Sequence, residues 1–313
     1  MTVTGYSQHT TANEVATTFA AQIRGKVILI TGPTIGGIGF EAAITIASKS
    51  PKLIILAGRS QEKLNAAEAE IHAKYPDVQI RKLLLDLTSL GSVRTAAKEV
   101  LTYPEDLDIV IANAAVMAIP EYTTTKDGFE MQFGTNHLGH FVFVNEIMPK
   151  ILTGTGEKRI VNVTSIAHEF TGIRFDDVNF GNGAVYDKWQ AYGQSKTANI
   201  LFAKALADMF GPRGLKAYSL HPGSITTGLQ KFVPEEELTQ MREIYAKGIY
   251  HKSLQEGSAT TLVAAFATNI ADKSGAYLRD ADIAEPAQHA QGSELAEKLW
   301  NLSESLVGAK YEF

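Results

Sequence analysis

Three residues have the types and spacing for proton chemistry at a carbon–oxygen bond. Tyr192 and Lys196 stand four apart in Tyr192-Gly-Gln-Ser-Lys196, and Ser165 closes the upstream run Val163-Thr-Ser165. With Tyr192 opening a helix, this spacing puts the phenol and the ammonium on one face, one turn apart. A free phenol, with a pKa of about 10, is a poor proton donor or acceptor at neutral pH. A cation beside it favours the phenolate and lowers that value. Such a phenol can exchange a proton with a substrate oxygen while a hydride moves at the carbon. Ser165, at a strand end, adds a hydroxyl to the same oxygen. A Tyr-x-x-x-Lys pair alone also occurs in many helices without this role, and its weight comes from the elements around it.

Those elements alternate. Lys26–Thr31 is a continuous β-branched run that reads as a strand buried on both faces. Gly32-Pro-Thr-Ile-Gly36-Gly37-Ile38-Gly39 follows and leads into a helix. Glycines there let backbone approach a pyrophosphate, and the helix start offers free N–H groups; a tight turn with nothing bound is the plainer reading. A second strand, Lys52–Ala57, ends in Gly58-Arg59-Ser60, about 20 residues past the glycines, where an acid would hold an NAD ribose. Arg59 stands there instead, placed to fork onto a 2′-phosphate with Ser60 and Lys63 beside it. The missing acid favours NADP(H).

Gln61–Lys74 reads as an amphipathic helix and 78–86 as a third strand ending in Asp86-Leu87. Asp86-Leu87 stands where an adenine could be contacted; equally, Asp86 or Thr88 caps the helix starting near Ser89. Leu107–Asn113 is a fourth strand followed by Ala114-Ala115, and Phe129–Leu152 a long helix. Arg159–Ser165 is the fifth strand and Gly214–Leu220 the sixth, ending in His221-Pro222-Gly223. Residues 1–12 read as a mobile arm within an N-terminal segment 1–24, residues 228–256 as a substrate lid, 274–278 as a last strand, and 293–306 as a final helix. The pattern predicts an α/β fold, a doubly wound parallel sheet in one domain over 25–313. Ligands bind such sheets beyond the strands' carboxyl ends. Gly32, Arg59, Asp86, Asn113, Ser165 and His221 all fall at such ends or at the helix starts that follow.

Of 313 residues, 45% are hydrophobic, enough for a large core. The net charge of −5 and dispersed basic residues argue against nucleic acid or an anionic membrane as partner. Without cysteine there is no disulfide, thiolate metal site or cysteine nucleophile, which suits the cytoplasm. No apolar run reaches spanning length, and the first 24 residues lack a signal-peptide pattern. His137-x-x-His140 has helical spacing but no further metal ligand beside it, so no metal is expected.

Taken in order, the glycine turn, Asn113-Ala-Ala, Asn136, Ser165, Tyr192-x-x-x-Lys196 and Pro222-Gly223 resemble the short-chain dehydrogenase/reductase family, over roughly residues 25–306. Thr135-Asn-His-Leu-Gly-His-Phe141 and His221-Pro-Gly are most similar to its retinol-dehydrogenase-like branch. The resemblance implies a Rossmann fold with Tyr192 as general acid or base. It implies that Lys196 lowers the tyrosine's pKa and holds the nicotinamide ribose, that Ser165 orients the substrate oxygen, and that Asn136 supports a water relaying protons to Lys196. The Pro222–Thr227 turn would hold the carboxamide through Ile225 and Thr227. The glycine loop carries one residue more than usual, leaving Gly36 or Gly37 for the middle position, and has Ile35 where NADP-preferring members often carry a base. Ala112-Asn113-Ala114-Ala115 replaces the usual Asn-Asn-Ala-Gly.

The expected activity is NADP(H)-dependent interconversion of a carbonyl and a primary or secondary alcohol on a lipophilic small molecule. Met117, Ile119, Phe170, Tyr186, Trp189, Leu229 and Phe232 either line its pocket or pack the core. The alternative is a cofactor-binding sensor or scaffold without turnover, which has no need of the Ser165, Asn136, Tyr192 and Lys196 set. A homo-oligomer is left open.

Overall fold

The run read as a doubly buried strand, Lys26–Thr31, becomes β1 (Val27–Thr31), every residue of which is buried, while Lys26 stays half-buried outside it. In the computed structural model, which describes residues 3–246, 248 and 250–313, the other strands are β2 (Leu53–Gly58), β3 (Ile80–Leu84), β4 (Ile109–Ala112), β5 (Lys158–Val163), β6 (Leu215–His221), β7 (Tyr277–Arg279) and β8 (Asp282–Ala284). They form one sheet in the order β3-β2-β1-β4-β5-β6-β7-β8. The first seven are parallel, and β8 turns back antiparallel on β7. Positions 1, 2, 247 and 249, inside the expected arm and lid, lie outside the described residues.

The helices are α1 (Ala12–Thr18), α2 (Ala20–Ile23), α3 (Ile38–Ala47), α4 (Gln61–Lys74), α5 (Leu90–Leu101), α6 (Met131–Phe133), α7 (Gly139–Thr153), α8 (Lys188–Phe210), α9 (Glu235–Ala246), α10 (Leu254–Phe266) and α11 (Ser293–Val307). Side chains of α5, α7, α8 and α11 fill the core on one face of the sheet. Those of α1, α3, α4 and α10 fill the other. Strand order reverses between β1 and β4, so a crevice opens beyond their carboxyl ends. The glycine turn and the Asn113-Ala114 segment meet there. A Cβ on Gly32, whose φ is +69°, would come within 2.8 Å of Ala114 Cα, so the two chains approach this closely only with glycine.

Four local expectations change. The long helix read over 129–152 is broken by a π-helical turn, Gly134–Leu138, between α6 and α7. α8 starts at Lys188, because Asp187 accepts hydrogen bonds from the Trp189 and Gln190 amides, so Tyr192 lies in its second turn and does not open it. β8 was not anticipated: Asp280 and Ala281 turn the chain with φ of 54° and 61°, and the pair lacks the glycine that marks such two-residue hairpin turns. The segment read as a mobile arm is docked, with the Val3 and Thr4 amides donating to the Asp282 carboxylate at 3.0 Å.

Candidate active site

The crevice is a cavity of about 830 Å³ running from the glycine turn to the apolar residues before α8. Gly32, Gly36, Gly37, Ile38, Gly39, Arg59, Ser60, Asp86, Leu87, Asn113, Ala114, Ser165, Tyr192, Lys196, Pro222, Gly223, Ile225 and Thr227 all line it. Asn136 is the exception among the expected residues: it is fully buried behind the wall.

At one end, the glycine turn has the form of an anion cradle. Gly36 has a φ of +80° with open space where a Cβ would stand, whereas Gly37 is the extended N-cap of α3. No side chain caps α3, so its first amides face the crevice unspent. Gly39 packs so tightly that an added Cβ would collide with the Asn113 side-chain amide and crowd the Gly32 carbonyl at 3.0 Å. Asn113 Nδ2 in turn donates to Thr31 O at 2.9 Å and to Gly32 O at 3.2 Å, fixing the turn. These features fit a dinucleotide pyrophosphate.

Asp86 is committed to protein partners. Its Oδ1 accepts from the Thr88 amide and hydroxyl, and its Oδ2 pairs with Lys126 at 3.1 Å. These contacts hold its carboxyl below the usual range although burial opposes them. The cap of α5 is Ser89, so of the two readings of Asp86, helix capping is set aside.

At the other end, Lys196 Nζ lies 5.5 Å from the centre of the Tyr192 ring, as the shared helix face requires. It donates to Val163 O at 3.1 Å, which ties α8 to the end of β5. The expected lowering of the phenol's pKa is absent. Burial pushes Tyr192 above its ordinary value, with a Ser165 hydrogen bond working the other way, and burial pulls Lys196 down to about 7. Desolvation disfavours the charged form of each group and is the leading cause of both shifts.

Two imidazoles hold the backbone at Ser165 and Ile166; the sequence gives His168 no role and His221 only its place at the end of the sixth strand. His168 Nδ1 donates to Ser165 O at 2.7 Å and its Nε2 accepts from the Ala287 amide. His221 Nδ1 accepts from the Ile166 amide at 3.2 Å, and burial holds that ring near pKa 3, hence neutral.

Asn136 sits on the π turn, the kind of irregularity that helices carry at functional positions. Its Oδ1 accepts from the Val116 amide at 2.8 Å, and its Nδ2 donates to Val116 O and Ser195 Oγ at 2.9 Å each. Its side chain thus braces the cavity wall against the helix between Tyr192 and Lys196. His140 continues this brace. Thr31 Oγ1 accepts from the Asn113 and Ala114 amides, so its one hydrogen goes to His140 Nε2 at 2.9 Å. The other ring nitrogen, Nδ1, then donates to Asn136 O at 3.1 Å. Both nitrogens of His140 are engaged this way in a neutral ring, pulled down to about pKa 4 by burial.

Around Tyr192 the wall is apolar: Met117, Ala118, Ala167 and Val233, with Trp189, Leu229, Leu238 and Met241 packed on them. Of the apolar residues read from sequence, Met117, Phe170, Trp189, Leu229 and Phe232 line the main cavity, and Ile119 a side pocket of about 370 Å³. Tyr186 does not; its hydroxyl donates to Ile119 O and its ring packs on Tyr122 and Phe180.

Residues 26–177 match the short chain dehydrogenase family model. The chain is 37% identical over 295 residues to short-chain dehydrogenase/reductase prx1 of Penicillium rubens, covering 90% of this chain and 84% of that protein. It is 37% identical over 292 residues to human retinol dehydrogenase 13, covering 92% and 86%. A crystal structure of a protein from Mycobacterium paratuberculosis superposes with a TM-score of 0.71 at 29% identity, covering 94% and 98%. With the crevice and its residues, these likenesses make the chain a member of the short-chain dehydrogenase/reductase family of oxidoreductases. Within that family it falls in the retinol-dehydrogenase-like branch. Among the described residues, no helix is long and apolar enough to cross a membrane.

Proposed function

We propose that the protein is an NADP(H)-dependent oxidoreductase that interconverts a carbonyl and an alcohol on a lipophilic small molecule. The convergence of Ser165, Tyr192 and Lys196 on one wall of the cavity carries this reading. Gly32 to Gly39 and the α3 amides would hold the pyrophosphate, Arg59 and Ser60 the 2′-phosphate, Leu87, Asn113 and Ala114 the adenosine side, and the Pro222–Thr227 turn the carboxamide. When bound, the nicotinamide supplies hydride in reduction and accepts it in oxidation.

The protein's own residues handle the proton and the fit. Ser165 holds the substrate oxygen by its hydroxyl. Tyr192, kept protonated at neutral pH by burial, gives its proton to the forming alkoxide. Lys196, charged below about pH 7, favours the phenolate that results. In the oxidative direction Tyr192 must first lose its proton, so reduction is the direction the unmodified cavity is ready for.

An apolar substrate fits the wall around Tyr192. Ile35, Phe170, Phe232 and Tyr250 are exposed apolar residues along the same cavity and supply an entry for it. The 228–256 segment is the lid. Glu237 on α9 pairs with Lys188 and accepts from Trp189 Nε1 at 3.2 Å, tying the segment to the start of α8. The test is NADPH oxidation with a panel of apolar ketones, aldehydes and quinones, with Tyr192→Phe as control. Turnover by the wild type and its loss in the variant are expected. Tight cofactor binding without turnover on any of them would favour a sensor or scaffold instead.

A further inference from the structure

We propose that Lys231 is a third ligand of the cofactor's 2′-phosphate, and that this contact closes the lid over the substrate pocket. The proposal rests on the NADP(H) reading above. Lys231 lies on the 3₁₀ turn Gly228–Phe232, capped by Thr227, directly after the loop assigned to the carboxamide. More than 165 residues separate it from Arg59 and Lys63 in sequence, yet all three line the same cavity with Ser60. Arg59 and Lys231 also share the side pocket.

The three cations are without a counter-charge among the described residues. Among the described residues, none of them has a carboxylate within ion-pair distance. Glu121, which lines the side pocket, pairs with none of them. Burial first, then the fields of Arg59 and Lys63, hold the Lys231 ammonium below the usual lysine range. That ammonium lies over the Phe232 ring, 4.5 Å from its centre. In a chain with a net charge of −5, three uncompensated cations gathered at one place repel one another. A phosphate dianion relieves that repulsion, and a ribose hydroxyl does not. A cluster beside the acid-free end of β2 therefore selects for the 2′-phosphate from two sides: the sheet through Arg59, and the lid through Lys231.

The second consequence is for the substrate. Leu229 and Val233 flank Lys231 and belong to the apolar cluster around Tyr192, with Leu238 and Met241 further along the lid. A phosphate holding Lys231 also holds these side chains against the pocket. Cofactor identity is thereby felt at the substrate site, with NADPH ordering a wall that NADH leaves loose.

The test is calorimetric titration of wild type, Lys231→Gln and Lys231→Arg with NADPH, NADH and 2′,5′-ADP. Lys231→Gln should weaken NADPH and 2′,5′-ADP about 10-fold or more, the scale of a charged hydrogen bond. NADH should be unaffected, and Lys231→Arg should retain most of the affinity. Hydrogen exchange at residues 228–238 should slow with NADPH more than with NADH in wild type, and this difference should vanish in Lys231→Gln. Unchanged NADPH affinity in Lys231→Gln, or equal losses for both cofactors, overturns the proposal. Arg59→Ala separates the two levels. If it abolishes the preference for NADPH while Lys231→Gln keeps it, only the lid contact fails. A wild type that binds NADH as tightly as NADPH removes the cofactor reading and this inference with it.

Discussion

Asn136 donates to Ser195 Oγ at 2.9 Å, and Ser195 in turn donates to the backbone carbonyl of Tyr192 at 2.7 Å. The asparagine therefore acts on the tyrosine's helix through a serine, while its other bonds hold Val116 in the cavity wall. Removing it unpins two elements at once.

Asn136→Ala should accordingly lose stability as well as turnover. It leaves the half-buried Val116 amide and carbonyl without their side-chain partner, at a cost of up to about 1–3 kcal/mol for each group so stranded. Urea unfolding and single-turnover hydride transfer on the same preparation check this. A fall in turnover with unchanged unfolding would return Asn136 to the water relay implied by the family resemblance.

Arg59→Ala should cost NADPH about 1.5–3 kcal/mol of binding and leave NADH nearly unchanged. Fluorescence titration with each cofactor measures this. Equal losses would mean that Arg59 shapes the crevice without reading the phosphate.

Gly39→Ala should weaken both folding and cofactor binding. The added Cβ meets the Asn113 amide, which holds the Thr31 and Gly32 carbonyls. The substitution therefore disturbs the turn itself, and a fully folded variant that merely fails to bind is not expected. Gly36→Ala, with open space but a φ of +80°, should cost only backbone strain, about 1 kcal/mol. Thermal unfolding of the two variants should rank Gly39→Ala as clearly the less stable, and the reverse order would contradict the packing argument.

The pH dependence has two parts. Lys196 titrates near 7 in the folded protein and near the ordinary lysine value of about 10.4 when unfolded. Between those values the unfolded chain holds a proton that the folded protein lacks, so stability rises with pH through this window and the penalty is full below it. Lys196→Met removes the penalty, so its stability relative to wild type should be highest at about pH 6 and decline by about pH 9.5. Denaturant unfolding at the two pH values measures the difference, and a gap independent of pH would refute the linkage. In catalysis, reduction needs the Tyr192 phenol and oxidation the phenolate. Oxidation should peak at higher pH than reduction, and coincident optima would assign the proton step to another group.

Much of the site was legible in the chain because it is local chemistry. The β-branched runs, the glycines after β1 and the absence of an acid after β2 are each set by a few consecutive residues. The i, i+4 spacing of Tyr192 and Lys196 follows from helix geometry once a helix is granted. Strands alternating with helices then allow few topologies, and the carboxyl ends of the strands converge by the handedness of the crossovers. The hairpin of β7 and β8 escaped because its turn is built from Asp280 and Ala281, which carry no turn signature.

What the tertiary structure alone decided is which distant side chains meet and how wet they are. Burial reversed the expected direction of the Tyr192 shift, since desolvation depends on every element packed around the phenol and on none of its sequence neighbours. That Asn136 braces Val116 and Ser195 could not be read from the chain, because the π turn aims it at them. His140, His168 and His221 each accept a hydrogen bond from a partner more than fifty residues away, at Thr31, Ala287 and Ile166. Lys231, after β6, lines the same side pocket as Arg59, after β2, only through long-range packing. Local spacing sets which groups exist and which faces they occupy, and long-range packing sets their protonation and their company.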